Sequence, residues 1–231
     1  MPKRVSVLDL YAKDWRWPFA DERRTEIDAH FARLRKSKPQ LWNGRVLLAR
    51  EPNFSESVMR ASYFETNFAS FLAWRDWGFP DRTVFNGFGM GALRGCDGGF
   101  VLGEMAAHTA NAGRVYFPSG TPDPNDRRNG RVDLAASVAR EVAEETGLTP
   151  ADYVADPHWN CIVLGQSIAL IRILQAPQSA ETLCSRIADH IAAEAHPELA
   201  GTHIVRGNGD LTPAMPGFVA AFIAAQGKLG T

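Results

Sequence analysis

The run Arg140-Glu141-Val142-Ala143-Glu144-Glu145-Thr146-Gly147-Leu148 places three carboxylates within five residues of a strongly helical stretch. At about 100° per residue, Glu144 and Glu145 fall within roughly one turn of Glu141, so the three acids are expected on one helix face. Leu134, Val138 and Val142 repeat at four-residue spacing and form the adjoining apolar stripe, which would seat the helix on a core while its acids line a cleft. Like charges at i and i+4 repel, so Glu141 and Glu145 oppose the helix unless a cation lies between them, and a divalent metal suits that place. Asp133 can accept from the first free N–H groups and Gly147 can take the left-handed conformation that ends a helix. Together they predict a helix of about three to four turns between two loops. Three acids alone are ordinarily a solvated helix face, so the acids need support from their context.

That context resembles the Nudix box, whose pattern runs Gly, five residues, Glu, seven residues, then Arg-Glu-apolar-any-Glu-Glu-any-Gly-apolar. Arg140, Glu141, Val142, Glu144, Glu145, Gly147 and Leu148 occupy every fixed position of the second half. The first half departs from the pattern: counting back, Val132 stands at the upstream Glu position and Asp126 at the leading Gly position. Phe117-Pro118-Ser119-Gly120 resembles the Pro-Gly-Gly that leads into the box in many members, with Ser119 in place of one Gly. The segment from Thr121 to Val132 is about six residues longer than the family's usual loop and reads as an insertion. Asp123, Asp126 and Asp133 are candidates to replace the missing Glu, each weighed against an ordinary turn or cap role.

The resemblance implies an α/β fold, a Nudix-like α/β/α sandwich with a mixed sheet over residues 84–231, preceded by an N-terminal α+β extension over residues 1–83. It implies Glu144 and Glu145 as principal metal ligands, Glu141 as a ligand or base, and Arg140 as the residue that holds one of these carboxylates in place. The expected ion is Mg²⁺ or Mn²⁺, hard cations that prefer oxygen ligands and leave room for water and diphosphate oxygens. The implied substrate is a nucleotide-type small molecule, a nucleoside diphosphate linked to another group, such as a UDP-sugar or ADP-ribose. Hydrolysis would give a nucleoside monophosphate and a phosphorylated remainder. The Arg-rich signature of the coenzyme A branch is not found before the box. The rival reading is a non-catalytic Nudix-like module that binds nucleotides and regulates a partner; Val132 and Ser119 favour it, and the intact acids oppose it.

With 45% hydrophobic and 22% charged residues, the 231-residue chain has the makeup of a compact globular protein. A formal net charge of −1 gives no global attraction to nucleic acid or to an anionic membrane. The charged start is followed by no apolar signal segment, and no stretch of about 18 apolar residues occurs, so a cytoplasmic location is expected. Cys96, Cys161 and Cys184 are odd in number and widely spaced, which suits reduced thiols.

Along the chain, the patterning predicts a short strand at 5–8, a helix at about 21–36, a strand at 45–49 and an aromatic helix at 68–77. Aromatic residues at helical spacing are ordinarily core; a base-stacking wall and a homodimer interface are the alternatives. From residue 85 the pattern turns to strands, at 88–94 and 100–104 about a Gly95–Gly99 turn, and at 114–117 leading into the box. After the box come strands at 160–164 and 167–174, a helix from Ser179 to about Ala195, a strand at 202–205 and a closing helix at 218–226. His158, His196 and His203 lie after the box without ligand spacing.

Overall fold

Glycine recurs at every second position in Gly87-Phe88-Gly89-Met90-Gly91, and in an extended chain this leaves one face bare of side chains. A helix can then approach the strand backbone closely. The computed structural model, which describes residues 2–227, uses that face for the acid-bearing helix.

The chain begins with strands β1 (Lys3–Val5) and β2 (Val7–Ala12) and helices α1 (Pro18–Glu22) and α2 (Arg24–Ser37). A hairpin of β3 (Arg45–Ser55) and β4 (Val58–Asn67) runs directly into α3 (Phe68–Asp76), where the Asn67 side chain caps the helix by accepting from the Ser70 N–H at 2.8 Å. Next come β5 (Val84–Arg94) and β6 (Phe100–Met105), then four two-residue strands: β7 (Val115–Tyr116), β8 (Ser119–Gly120), β9 (Arg127–Arg128) and β10 (Arg131–Val132). Helix α4 (Leu134–Thr146), strands β11 (Val154–Leu164) and β12 (Ser167–Gln175), helix α5 (Ala180–Ala193), strand β13 (Leu199–Val205) and helix α6 (Gly217–Gln226) complete it.

Strand β5 is the hub of a mixed sheet. Along one edge it pairs in parallel with β12 over its length from Asn86 to Arg94. Its other edge is divided among three antiparallel partners: β3 at Val84 and Phe85, β8 at Gly89 and Met90, and β6 at Leu93 and Arg94. Helix α4 packs on the glycine face. A Cβ at Gly89 would stand 2.6 Å from Val138 Cγ2, and one at Gly91 would stand 2.6 Å from Val142 Cγ2. On the opposite face Phe88 meets Phe218 of α6 edge-on, with ring centroids 5.5 Å apart. The result is an α/β/α arrangement about a mixed sheet.

The first 83 residues join this sheet through β2, β4 and β3 in the order β5-β3-β4-β2, and β1 pairs with β11. Alternation along β3 serves two cores. Leu47 and Ala49 pack with Tyr63, Met90, Leu134 and Val138, whereas Val46 and Leu48 pack with Phe64, Trp74, Trp17 and Ile27 beneath α1–α3. The N-terminal aromatics are therefore mainly core: Trp74 is fully buried, its indole N–H donating to the Asp81 carbonyl at 2.9 Å, while Trp42 is 78% exposed.

Two local expectations are corrected. The helix at 21–36 is divided at Arg23, whose φ of −108° and ψ of 21° leave the helical region. The strand at 45–49 continues to Ser55 and forms a hairpin that a charged segment and Pro52 disguise; Glu51, at φ 53°, accompanies a break in register between Arg50 and Asn53. Among the described residues, no helix is long and apolar enough to cross a membrane. The three cysteines are free thiols.

Candidate active site

Helix α4 begins where the Asp133 carboxylate accepts from the Ala136 N–H at 3.0 Å, and ends at Gly147, which takes a left-handed φ of 70°. His190 of α5 covers that end, its Nε2 lying 3.0 Å from the Glu144 carbonyl oxygen. Leu134, Val138 and Val142 are buried against β5 as the apolar repeat requires. The helix is thus fixed at both ends and along one face, which gives its acids defined positions.

Those acids do not share one environment. Glu145 is 5% exposed, and its Oε1 accepts from the Ser119 N–H of β8 at 3.2 Å. Glu141 lies along the same strand, so close that a Cβ at Gly120 would be 2.3 Å from its Oε1. The glycine of the Pro-Ser-Gly run is thereby explained: its missing side chain is the space that the Glu141 carboxylate fills. Glu144 is turned to solvent and lies 3.2 Å from Arg140. The expectation of three acids gathered in one cleft is corrected to a recessed pair, Glu141 and Glu145, with Glu144 outside it. Among the described residues, no group of three or more His, Cys, Asp or Glu side chains converges as a ready metal site.

Burial dominates the electrostatics of the pair. It pushes the Glu141 carboxyl up to about 7, with the neighbouring Arg140 working against the rise and the charges of Glu144 and Glu198 adding to it. Burial, and then the Glu141 charge, raise Glu145 well above the usual carboxylate range. Arg140 Nη1 is 2.8 Å from Glu141 Oε1, and its Nη2 donates to Asp126 Oδ2 at 3.2 Å. Asp126 is buried and also accepts from the Asp123 N–H at 3.0 Å within a single 3-10 turn.

The position of Asp126 revises the count along the box. The Asp133 N–H donates to the Asp126 carbonyl at 2.8 Å, so residues 127–132 leave and return to nearly one point. They form the β9–β10 hairpin, turned at Asn129 and Gly130 with positive φ, and they dock on the N-terminal region where Arg131 pairs with Tyr11. With this six-residue excursion set aside, seven residues separate Asp126 from Arg140 and five residues separate Gly120 from Asp126. That is the spacing of the complete box, with Asp in place of the upstream Glu. Val132 is instead a buried hairpin residue paired with Arg127, and Asp123 and Asp133 are cap residues. The linear count missed this because an insertion shifts every position before it.

Beside β8 lies a cleft of about 620 Å³ bordered by Ser119, Gly120 and Thr121. Its aromatic walls include Phe88, Phe218, Phe68 and Phe71, so the N-terminal third contributes to it. Glu198, just before β13, is a further carboxylate of the acid group; burial raises it, and its charge acts on both Glu141 and Glu145. No motif marked it, since it lies 53 positions beyond Glu145. His203 lies 2.9 Å from Glu104 and His158 lies 3.1 Å from Asp156, pairings that take both away from the acids.

No family model matches the chain, and no curated protein matches it. Several solved structures are similar in fold at low identity. The MutT protein from Methanosarcina mazei Go1 is 19% identical, with 64% of this chain and 96% of that chain covered and a TM-score of 0.42. RenU, a Nudix hydrolase from M. smegmatis, is 15% identical, with 64% and 88% covered and a TM-score of 0.40. A bifunctional NMN adenylyltransferase/ADP ribose pyrophosphatase from Francisella tularensis is 12% identical, with 68% and 45% covered and a TM-score of 0.43.

Proposed function

We propose that this protein is a metal-dependent hydrolase of a diphosphate linkage in a nucleoside diphosphate derivative, releasing a nucleoside monophosphate and a phosphorylated remainder. The observation that carries this reading is the recessed pair Glu141 and Glu145 on a helix pinned against Ser119–Gly120, at the border of a cleft large enough for a nucleotide. Two recessed carboxyls with raised proton affinity hold their protons until a cation takes the protons' place. Mg²⁺ or Mn²⁺ fits that donor set, because such ions bind through one or two carboxylates and complete their shell with water and substrate phosphate. Glu141 and Glu145 would hold the ion, and Glu144, close enough to act electrostatically on Glu141, would join as a third ligand on leaving Arg140. When bound, the metal supplies positive charge against the diphosphate oxygens and acidifies water.

The chain's own residues do the positioning. Arg140, anchored by Asp126, aims the Glu141 side chain and acts through it rather than on substrate. The Ser119 N–H orients the Glu145 carboxylate, and Phe88 and Phe218 offer apolar surface to a base. Glu198 is a candidate to hold a proton near the acids. Residues 84–231 would carry the chemistry and residues 1–83 would frame the cleft.

The second reading, a nucleotide-binding module without catalysis, is favoured by the lack of three converging ligands among the described residues. Release of nucleoside monophosphate from UDP-sugars, ADP-ribose and dinucleotides, with and without Mg²⁺ or Mn²⁺, separates the two. Turnover that chelation abolishes supports the hydrolase. Nucleotide binding indifferent to metal, with no turnover of any compound, would support the module.

A further inference from the structure

The cleft beside Ser119–Gly120 does not end at its aromatic walls. It adjoins a second cavity of about 380 Å³, and the two share Arg75, Ala110, Asn111 and Arg114 in their linings. Gly120 and Thr121 border the first cavity alone, and Lys38 borders the second alone. The space therefore leads from Ser119 and Gly120, the two β8 residues that the acids touch, past the aromatic rings, to a group of cations.

Neither lining contains a carboxylate, whereas the second cavity has three cationic side chains, Lys38, Arg75 and Arg114. Arg114 is fixed by its backbone, its N–H donating to the Asn111 carbonyl at 3.0 Å and its carbonyl accepting from the Met105 N–H at 2.9 Å. Its guanidinium pairs with no carboxylate among the described residues. Lys38 donates to the Thr109 carbonyl, a neutral acceptor that leaves its charge uncompensated. Arg75 bonds Asp76 through Nε at 2.9 Å, and Asp76 is shared with His30. On a chain whose net charge is −1, such a carboxylate-free cationic pocket is a local feature that composition does not announce.

Guanidinium groups match phosphate oxygens with paired donors, and a lysine adds a point charge. A nucleoside whose base lay on the aromatic wall and whose diphosphate faced Ser119–Gly120 would place its ribose in the first cavity, which Arg75 and Arg114 also line, with Lys38 beyond them in the second. We propose that the site takes nucleoside diphosphate derivatives whose ribose carries an additional phosphomonoester, and that Lys38, Arg75 and Arg114 bind that phosphate. This rests on the reading of the acid helix as a diphosphate-hydrolysing site. It also gives the N-terminal third, which supplies Lys38, Arg75, Phe68 and Phe71, the task of choosing the substrate.

The test compares matched pairs that differ only in the ribose phosphate: NADPH against NADH for the 2′ position and coenzyme A against dephospho-coenzyme A for the 3′ position. In the wild-type protein with Mg²⁺, kcat/KM for the phosphorylated member of at least one pair is expected to exceed that of its partner roughly tenfold or more, as one charge-assisted phosphate contact allows. In Arg114→Ala and Lys38→Ala the ratio should fall towards one, and Arg114→Lys should retain part of it. Turnover with equal kcat/KM for both members of both pairs would sink the pocket and leave the hydrolase standing. If nothing is turned over, calorimetric binding of adenosine 2′,5′- and 3′,5′-bisphosphate against AMP decides. Tighter bisphosphate binding that Arg114→Ala abolishes keeps the anion pocket without the hydrolase, and no discrimination overturns it.

Discussion

Two groups of carboxylates in this molecule obey opposite electrostatics. Asp9, where β2 meets β4 and β10, accepts from the Tyr11 hydroxyl at 2.7 Å, from Arg60 at 2.9 Å and from Arg131 at 2.5 Å. Those donors, Tyr11 foremost, hold its carboxyl down at about 2. Glu145 is recessed with one N–H donor, Glu141 with one arginine that it shares with Asp126 and Glu144, and burial drives both acids up. Ionising Asp9 therefore strengthens the fold, whereas ionising the glutamate pair weakens it. Opposed charge kept at a rigid place, where it costs stability, is what a cation-binding site requires and a structural ion pair avoids.

The largest expected effect comes from making the pair neutral. Glu145→Gln removes one charge while keeping the shape and the capacity to accept from Ser119. Turnover should fall by roughly 10²–10³-fold, the usual scale for loss of one preorganised electrostatic group. The same variant should melt higher than wild type in chelator at pH 8, because glutamine has no carboxyl whose ionisation favours the unfolded chain. A variant that melts lower under those conditions would show that Glu145 is a structural residue, and the contrast with Asp9 would fail.

Next in size is the pH dependence of stability in chelator. Glu141 ionises near its ordinary value when unfolded and at about 7 when folded, so between these values the folded state keeps a proton that the unfolded chain has lost. Stability must then fall as pH rises through this window, by roughly 2–4 kcal/mol for Glu141 at about 1.4 kcal/mol per unit. Glu145, raised further by the Glu141 charge, extends the fall to higher pH. Denaturant melts from pH 5 to 9 in EDTA measure it, and saturating Mg²⁺ should flatten the slope. A slope unchanged by metal would separate these acids from any cation site.

Smaller again is the effect of the arginine's anchor. Asp126→Asn leaves Arg140 with Glu141 and Glu144 alone, and activity or apparent metal affinity should fall about 10–100-fold, as for other loosened ligand supports. Val132→Thr, at the position that a linear count assigns to the upstream acid, should change turnover less than about twofold. The two variants exchanging these outcomes would restore the linear register.

How much of this was legible in the sequence follows from the range of the interactions. Helix α4 was readable because its cap residues, apolar repeat and acids lie within fifteen residues, from Asp133 to Gly147. The strands of the second half were readable for the same local reasons, though β11 begins earlier, at Val154. Asp126 was legible only as one of three candidates, with Asp123 and Asp133, because the hairpin at 127–132 is docked by the pairing of Arg131 with Tyr11, a contact across 120 positions that no window contains. Glu198 and the cations at 38, 75 and 114 are likewise brought together by tertiary packing alone. The different exposure of Glu144 and Glu145 was also out of reach, since the helix angle gives a face but not which edge of that face meets β8.

The smallest effect is the one that isolates the comparison. Asp9→Asn keeps the shape of the side chain and removes the charge that Arg60 and Arg131 share. Because Asp9 has its folded value depressed to about 2, its contribution is fully present above about pH 4 and is lost as pH falls towards 2. The variant should therefore lose stability at neutral pH and approach wild type in acid, the reverse of the window set by Glu141. Asp9 touches the hairpin through Arg131, and the Asp133-to-Asp126 bond closes that hairpin at its base. Turnover should consequently be unchanged even as the acid limb of the stability profile flattens. A fall in turnover that follows the loss of the Asp9 charge would mean that the hairpin transmits its docking to Asp126 and Arg140, making the N-terminal strands part of the catalytic support.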